Sequence, residues 1–229
     1  MLHRDPHVRA HVASQLVAAG VFRYDRENPC TFRGGTRSPV YMDCRRVQGH
    51  VGSRTAIARA ISTAAQRMSA EVIAGIQNGA IPHSVLVADL CELPHASLRK
   101  EDKRHGVQGM VEGADVCGKR VLVFEDMVSK GGSALRGIRA AKEAGGKIAG
   151  CITILSYDLD GANEQITREA GIFIELVGLA DILSEVKKQP AARFTSAEEA
   201  DVLSWHKDPH AWLEAWQAER DGLGLATVS

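Results

Sequence analysis

The chain reads as an α/β protein built on a mostly parallel sheet with helices on both faces. Three observations predict this. Short, largely apolar runs recur at "EVIAGI" (71–76), "HASL" (95–98), "RVLVFE" (120–125), "IAGCITIL" (148–155) and "IFIEL" (172–176). Stretches with helical spacing of apolar residues lie between or after most of them, at 83–91, 133–144, 161–170 and 179–188. Strands apolar on both faces that alternate with helices are the pattern of a parallel sheet covered on each side. Finally, 229 residues, of which 45% are hydrophobic and 24% charged, suit one core with at most a modest extra piece.

The elements follow in order. Asp5-Pro6 before Val8, Val12, Leu16 and Ala19, with Gly20 behind, reads as a capped helix carrying one apolar stripe. Residues 28–46, "NPCTFRGGTRSPVYMDCRR", hold two glycines, two prolines and several β-formers, and read as a hairpin or turn region. From Ser53 to about Met68, Ala56, Ile57, Ala60, Ile61 and Ala64 recur at helical spacing. Residues 99–118 are polar, dotted with glycine and without a helical stripe, so a long loop is expected there, and a loop of that length in a compact domain usually serves function. Near the end, Ser196 to Glu199 reads as a capping box, and Asp208-Pro209 opens a last helix whose Trp212 and Trp216 share a face for packing or a subunit contact.

Charge and cysteine usage narrow the classes. Twenty-eight basic against 28 acidic side chains argue against general nucleic-acid binding, though a local basic patch could serve a small anion. The five cysteines (Cys30, Cys44, Cys91, Cys117, Cys151) form no metal or redox pair and are expected to be buried free thiols. No apolar leader core and no membrane-length apolar run are present, so a reduced, cytoplasmic setting without membrane attachment is expected.

The chemistry concentrates in "RVLVFEDMVSKGGSALRGIRAAKEAGG", residues 120–146. Ligands of parallel α/β sheets bind beyond the carboxyl ends of strands, and Glu125 and Asp126 stand at such an end. In the loop that follows, Ser129, Gly131, Gly132 and Ser133 can turn backbone N–H groups and hydroxyls on a phosphate, helped by the positive end of the next helix. Two acids beside an anion site make sense if they hold the hydroxyls of a phosphorylated sugar, orient a Mg²⁺ bound to it, or stabilise positive charge developing on it. The same segment also fits a strand end with a tight turn. Neither G-x-x-x-x-G-K-[ST] nor a G-x-G-x-x-G after a strand occurs.

"VLVFEDMVSKGGSA" resembles the phosphoribosyl pyrophosphate (PRPP) signature of type I phosphoribosyltransferases. "TRSPVYMDCRR" (36–46), "LRKEDKRHG" (98–106) and "VIAGIQNGAIPHSVLVADLCELP" (72–94) are similar to three further segments of the orotate phosphoribosyltransferases, in the same order, over roughly residues 22–190. The resemblance implies a type I phosphoribosyltransferase-like fold: an N-terminal helix and small hood to about residue 50, a core over about 51–190, and a helical extension over about 191–229, all in one domain. It implies a pentosyltransferase that uses Mg²⁺ to move ribose 5-phosphate from PRPP to orotate, giving orotidine 5′-phosphate and pyrophosphate in pyrimidine biosynthesis. A homodimer is implied, with lid residues completing the neighbouring site.

Residue by residue, Arg99, Lys100, Lys103 and His105 match the lid that meets pyrophosphate, with Lys103 as the main catalytic lysine and His105 and Asp126 beside it. Glu125 and Asp126 match the ribose acids; Ser129, Lys130, Gly131, Gly132 and Ser133 match the 5-phosphate loop. Arg33, Ser129 and Tyr157 are the candidates for contact with the base or its sugar. Mg²⁺ is expected to be held mainly through substrate, with Asp126 as its candidate protein ligand. Some positions differ from the commoner family pattern: Gly79-Ala80 replaces an Ala-Gly pair, Lys130 a small residue, Arg33 a lysine, and Tyr157-Asp158 stand where many members place an orotate-binding arginine. Two alternatives stay open: transfer to another base or orotate-like acid, and a non-catalytic PRPP sensor.

Overall fold

The computed structural model describes residues 5–32, 34–99, 110–189 and 194–222. Six strands form the main sheet in the order β10-β9-β8-β5-β6-β7: β5 (Val72–Ile76), β6 (His95–Leu98), β7 (Val111–Gly113), β8 (Arg120–Val128), β9 (Lys147–Ser156) and β10 (Phe173–Gly178). All neighbours run parallel except β7, which returns antiparallel along β6. The expected mostly parallel α/β sheet is therefore present.

Helices cover both faces. Strand side chains alternate, so Gly75 and Phe124, paired across β5 and β8, face one way and Ile76 the other. Helix α3 (Ala80–Cys91) lies on the first side, its Ser84 against Gly75 and its His83 against the Phe124 ring. Helix α4 (Gly132–Glu143) lies on the second, its Gly137 against Ile76 and Leu98. Helix α5 (Ala162–Ala170) flanks α4, α6 (Leu179–Lys187) follows β10, and α2 (Val51–Arg67) packs behind α3. Asp5 caps α1 (Pro6–Ala18) by accepting from His7 N at 2.9 Å, and Arg9 ties that helix to Glu175 and Asp181 near the far edge of the sheet. Two nested antiparallel pairs, β1 (Phe22–Tyr24) with β4 (Val40–Met42) and β2 (Cys30–Thr31) with β3 (Arg37–Ser38), form the hood.

Several expectations are corrected. Strand β8 runs on to Val128, because its ladder with β9 continues through Met127↔Leu155 and Val128↔Ser156; Glu125 and Asp126 thus lie inside the strand. Helix α3 starts at Ala80 rather than residue 83, since Pro82 in a first turn sacrifices no helical hydrogen bond. The stretch 99–118 contains β7, so it is not loop throughout. The capping box of α7 (Ser196–Lys207) sits one residue earlier than expected: Thr195 Oγ1 accepts from Glu198 N at 3.2 Å and Glu198 Oε2 accepts from Thr195 N at 2.6 Å. Helix α8 (Pro209–Gly222) opens at the expected proline.

The thiols are all free, but against the expectation of burial throughout Cys117 is exposed and Cys30 and Cys91 are only half-buried. Cys44 and Cys151 are fully enclosed, and burial pushes both thiols well above their ordinary range. With a thiol-specific chromogenic reagent on the native protein, Cys117 should react first, and Cys44 and Cys151 only after denaturation. Rapid labelling of all five without unfolding would contradict this packing.

Candidate active site

The carboxyl ends of β5 and β8 carry the site. Burial and alternation assign Glu125 and Asp126 different places. Glu125, paired with Thr153 on β9, is 3% exposed and near enough to Cys151 to help raise that thiol. Asp126 points to the α3 side, near Cys44 and His83, and is only partly buried. The expected side-by-side sugar clamp is thus, as built, one accessible carboxylate with a second buried behind it.

Asp126 lies against the turn between β5 and α3. Gln77 N bonds Leu98 O at 2.8 Å, fixing the start of that turn, and the Gln77–Asn78 peptide is cis. A Cβ on Gly79 would stand 2.6 Å from Asp126 Cγ and closer still to Oδ2. The shift of glycine to position 79 therefore has a local cause: only a residue without a side chain lets the Asp126 carboxylate lie over this turn. Gly79, at the N-cap of α3, has no side chain with which to cap that helix, and first-turn amides of an uncapped helix suit an anion.

The loop after β8 is the second candidate for holding an anion. Gly131 takes the left-handed conformation at φ 77°, which favours glycine, and turns the chain into α4 without a side-chain cap. Ser133 Oγ in the first turn is buried and has no hydrogen-bond partner among the described residues. A buried hydroxyl left unmatched at a helix amino end is the kind of donor a phosphate oxygen would satisfy. Lys130, expected at a phosphate, pairs with Asp160 at 3.0 Å, and its stem lies 3.9 Å from where a Cβ of Gly34 would be, so the hood tip reaches the loop. Ser129 O accepts from Leu159 N at 3.1 Å and Val128 O from Tyr157 N at 2.8 Å, which binds the turn after β9 to the same loop.

The remaining calls are placed unevenly. Arg99 follows β6, with its guanidinium 2.8 Å from Glu112 on β7, so its charge is partly committed beside that strand pair. Lys100, Lys103, His105 and Arg33 lie outside the described residues. Tyr157 is present at the site's edge, but its ring is 1% exposed and burial pushes its hydroxyl well above the usual range. Direct contact of that side chain with a substrate finds no support in this packing.

Two groups escaped the sequence reading. His83 lies one turn into α3, 3% exposed, its pKa pushed down by burial against the opposing pull of Asp126 and a bond to the Cys44 backbone. It is a neutral neighbour of Asp126, and its position four residues after Gly79 was the available signal. Trp205, in the C-terminal extension, reaches back to the hood: its Nε1 donates to Arg37 O at 2.7 Å. Nothing in the local sequence around Trp205 announces that partner.

Residues 48–172 match the phosphoribosyl transferase domain family, which defines the class of the protein. An orotate phosphoribosyltransferase of Lactobacillus johnsonii is 31% identical over 215 residues, covering 92% of this chain and 97% of that one. The chain belongs to the orotate phosphoribosyltransferase family. Among solved structures, Leishmania donovani UMP synthase superposes with a TM-score of 0.75 at 25% identity, over 86% of this chain and 42% of its own. A Mycobacterium tuberculosis orotate phosphoribosyltransferase in complex with PRPP gives a TM-score of 0.58 at 25% identity, over 79% and 94%.

Proposed function

We propose that this enzyme transfers ribose 5-phosphate from PRPP to orotate, forming orotidine 5′-phosphate and pyrophosphate in pyrimidine synthesis in the cytoplasm. The observation that carries this reading is the unmatched Ser133 hydroxyl at the uncapped start of α4, a strand end away from the accessible Asp126 carboxylate. That pairing suits a sugar phosphate: anion on one side, hydroxyls on the other.

In the proposed reaction the C1–O bond to pyrophosphate breaks and its electron pair leaves with the pyrophosphate, while a ring nitrogen of orotate, giving up its proton to an oxygen of the departing pyrophosphate, supplies the pair for the new C1–N bond. Amides of Gly131, Gly132 and Ser133 and the Ser133 hydroxyl hold the 5-phosphate. Asp126 accepts from a ribose hydroxyl and faces positive charge developing on the sugar. The amino end of α3 receives pyrophosphate, with Arg99, Lys100, Lys103 and His105 neutralising it in the mode of the family lid. Holding both reactants in line is the larger part of the task.

Mg²⁺ would be held mainly through substrate oxygens, with the accessible Asp126 carboxylate, an oxygen donor of the kind this ion takes, as the protein's contribution. When bound, Mg²⁺ would neutralise the leaving group. A homodimer, with the lid serving the neighbouring site, completes the proposal. No helix among the described residues is long and apolar enough to cross a membrane.

A second reading is favoured by the turn after β9. Tyr157-Asp158 replace the arginine, and the tyrosine is buried, which suits a different base. Pyrophosphate release from PRPP and Mg²⁺ with a panel of bases tests both. Release with orotate is expected; release only with another base would replace orotate, and PRPP binding without release would make the protein a sensor.

A further inference from the structure

We infer that the C-terminal helical pair forms a wall of the nucleobase end of the site, and that Trp205 and His206 are positioning residues for the base rather than for the phosphorylated sugar. This rests on the phosphoribosyl-transfer reading above. Two sides of the cleft are already taken. The phosphate loop and α4 occupy one, and the turn of Gly79 with the amino end of α3 the other. What remains above the carboxyl ends is bounded by the hood tip and the turn after β9, both of which meet at Lys130: Gly34 against its stem, Asp160 against its ammonium. In this proposal an incoming base, joined to C1 opposite the departing pyrophosphate, enters through an opening between these two segments.

Helix α7 is bonded to both banks of that opening. Trp205, wholly buried, donates its indole N–H to Arg37 O of the hood at 2.7 Å. Its ring stands edge-on to Phe32 of the hood at 5.9 Å and to Tyr157 of the turn at 5.8 Å, and those two rings meet each other at 5.2 Å. The next residue, His206, bonds the Tyr157 carbonyl through Nε2. One residue pair on one helix thus sets the distance between the two banks.

The rest of the extension holds α7 in place. Trp216 Nε1 donates to Arg26 O at 2.9 Å, and Trp212 Nε1 to Asp201 Oδ1 at 2.9 Å. Asp201 also accepts from Tyr24 OH at 3.0 Å and pairs with Arg26, while the Trp212 and Trp216 rings stack at 6.2 Å. All three indole N–H groups are used, and both those of Trp205 and Trp216 reach hood carbonyls. The packing expected of Trp212 and Trp216 is present, both rings being buried, and Trp216 in addition ties the helix to the hood. The sugar phosphate, by contrast, is served by Asp126, Gly131 and Ser133, none of which touches Trp205 or His206 in any bond described above.

The test compares KM for the two substrates in Trp205→Ala, Trp205→Phe, His206→Ala and His206→Gln, each checked by thermal melting. Trp205→Ala is expected to raise KM for orotate about tenfold and leave KM for PRPP within about twofold, the size of effect that loss of one net hydrogen bond and its packing produces. Trp205→Phe, which keeps the ring and loses the N–H, should fall between, and His206→Gln should restore most of what His206→Ala loses. A variant that loses only stability would move neither KM selectively. If Trp205→Ala does not fold, the phenylalanine variant and the His206 pair decide. Equal rises in both KM values, or none in folded variants, would overturn the wall. If the parent enzyme uses another base in place of orotate, the orotate assignment alone falls, and the same comparison with that base decides the wall. If no base drives pyrophosphate release, both fall.

Discussion

Gly79→Ala should lower kcat/KM by about 10²-fold while leaving the melting temperature nearly unchanged. The added methyl would sit 2.6 Å from Asp126 Cγ, a distance real side chains do not tolerate. The backbone at Gly79 is ordinary right-handed helical, φ −67° and ψ −34°, so alanine introduces no conformational penalty there. The conflict is therefore relieved by movement of a short, partly exposed carboxylate or of the turn itself. Rotation of the carboxylate is the cheaper response, since Gln77 N holds the turn to Leu98 O, and either movement displaces a group assigned to the sugar or to pyrophosphate; misplacement by about 1 Å at a reacting centre costs roughly 10²-fold. Steady-state kinetics alongside a melting curve separate the two effects. Wild-type kinetics in the alanine variant would show that Asp126 need not lie where it does.

Lys103→Ala is the second large effect, with an expected loss of about 10²- to 10³-fold in kcat, as for removal of one preorganised group that stabilises transition-state charge. The expectation rests on the match of "RKEDKRHG" to the family lid, not on a described position. Arg99 is already 2.8 Å from Glu112, so less of its charge is available to the leaving group. In the proposed mechanism the burden then falls on Lys103, whose contribution grows as the C1–O bond breaks. Its removal should depress kcat more than it raises KM for PRPP, and pyrophosphorolysis of orotidine 5′-phosphate should fall in parallel. Turnover within a few-fold of wild type would take Lys103 out of the mechanism.

The sheet was legible because its strands are apolar on both faces and separated by helices, a pattern that survives any change of detail. The turn after β8 was legible because Gly131 and Ser133 follow the strand closely, and local turn chemistry reads from neighbours in sequence. Glu125 and Asp126 were legible as acids at a strand end but not as a buried and an accessible one. That division depends on the ladder to β9 running three residues further, and on alternation carried through it. The reason for Gly79 was hidden for another cause: its partner, Asp126, comes from a strand that is adjacent only after folding. The hood's dependence on Trp205 is hidden in the same way, since the two meet across more than 160 positions, |i−j| being 168 for the Trp205–Arg37 bond.

That long separation bears on how the enzyme is made. During synthesis the hood leaves the ribosome early, while the indoles that tether it are among the later residues to emerge. The strands can pair and the loop after β8 can close before then, but the hood cannot reach its final contacts until Trp205 and Trp216 have been translated. A nascent chain interrupted before α7 would carry the β5–α3 and β8–α4 turns and an untethered hood.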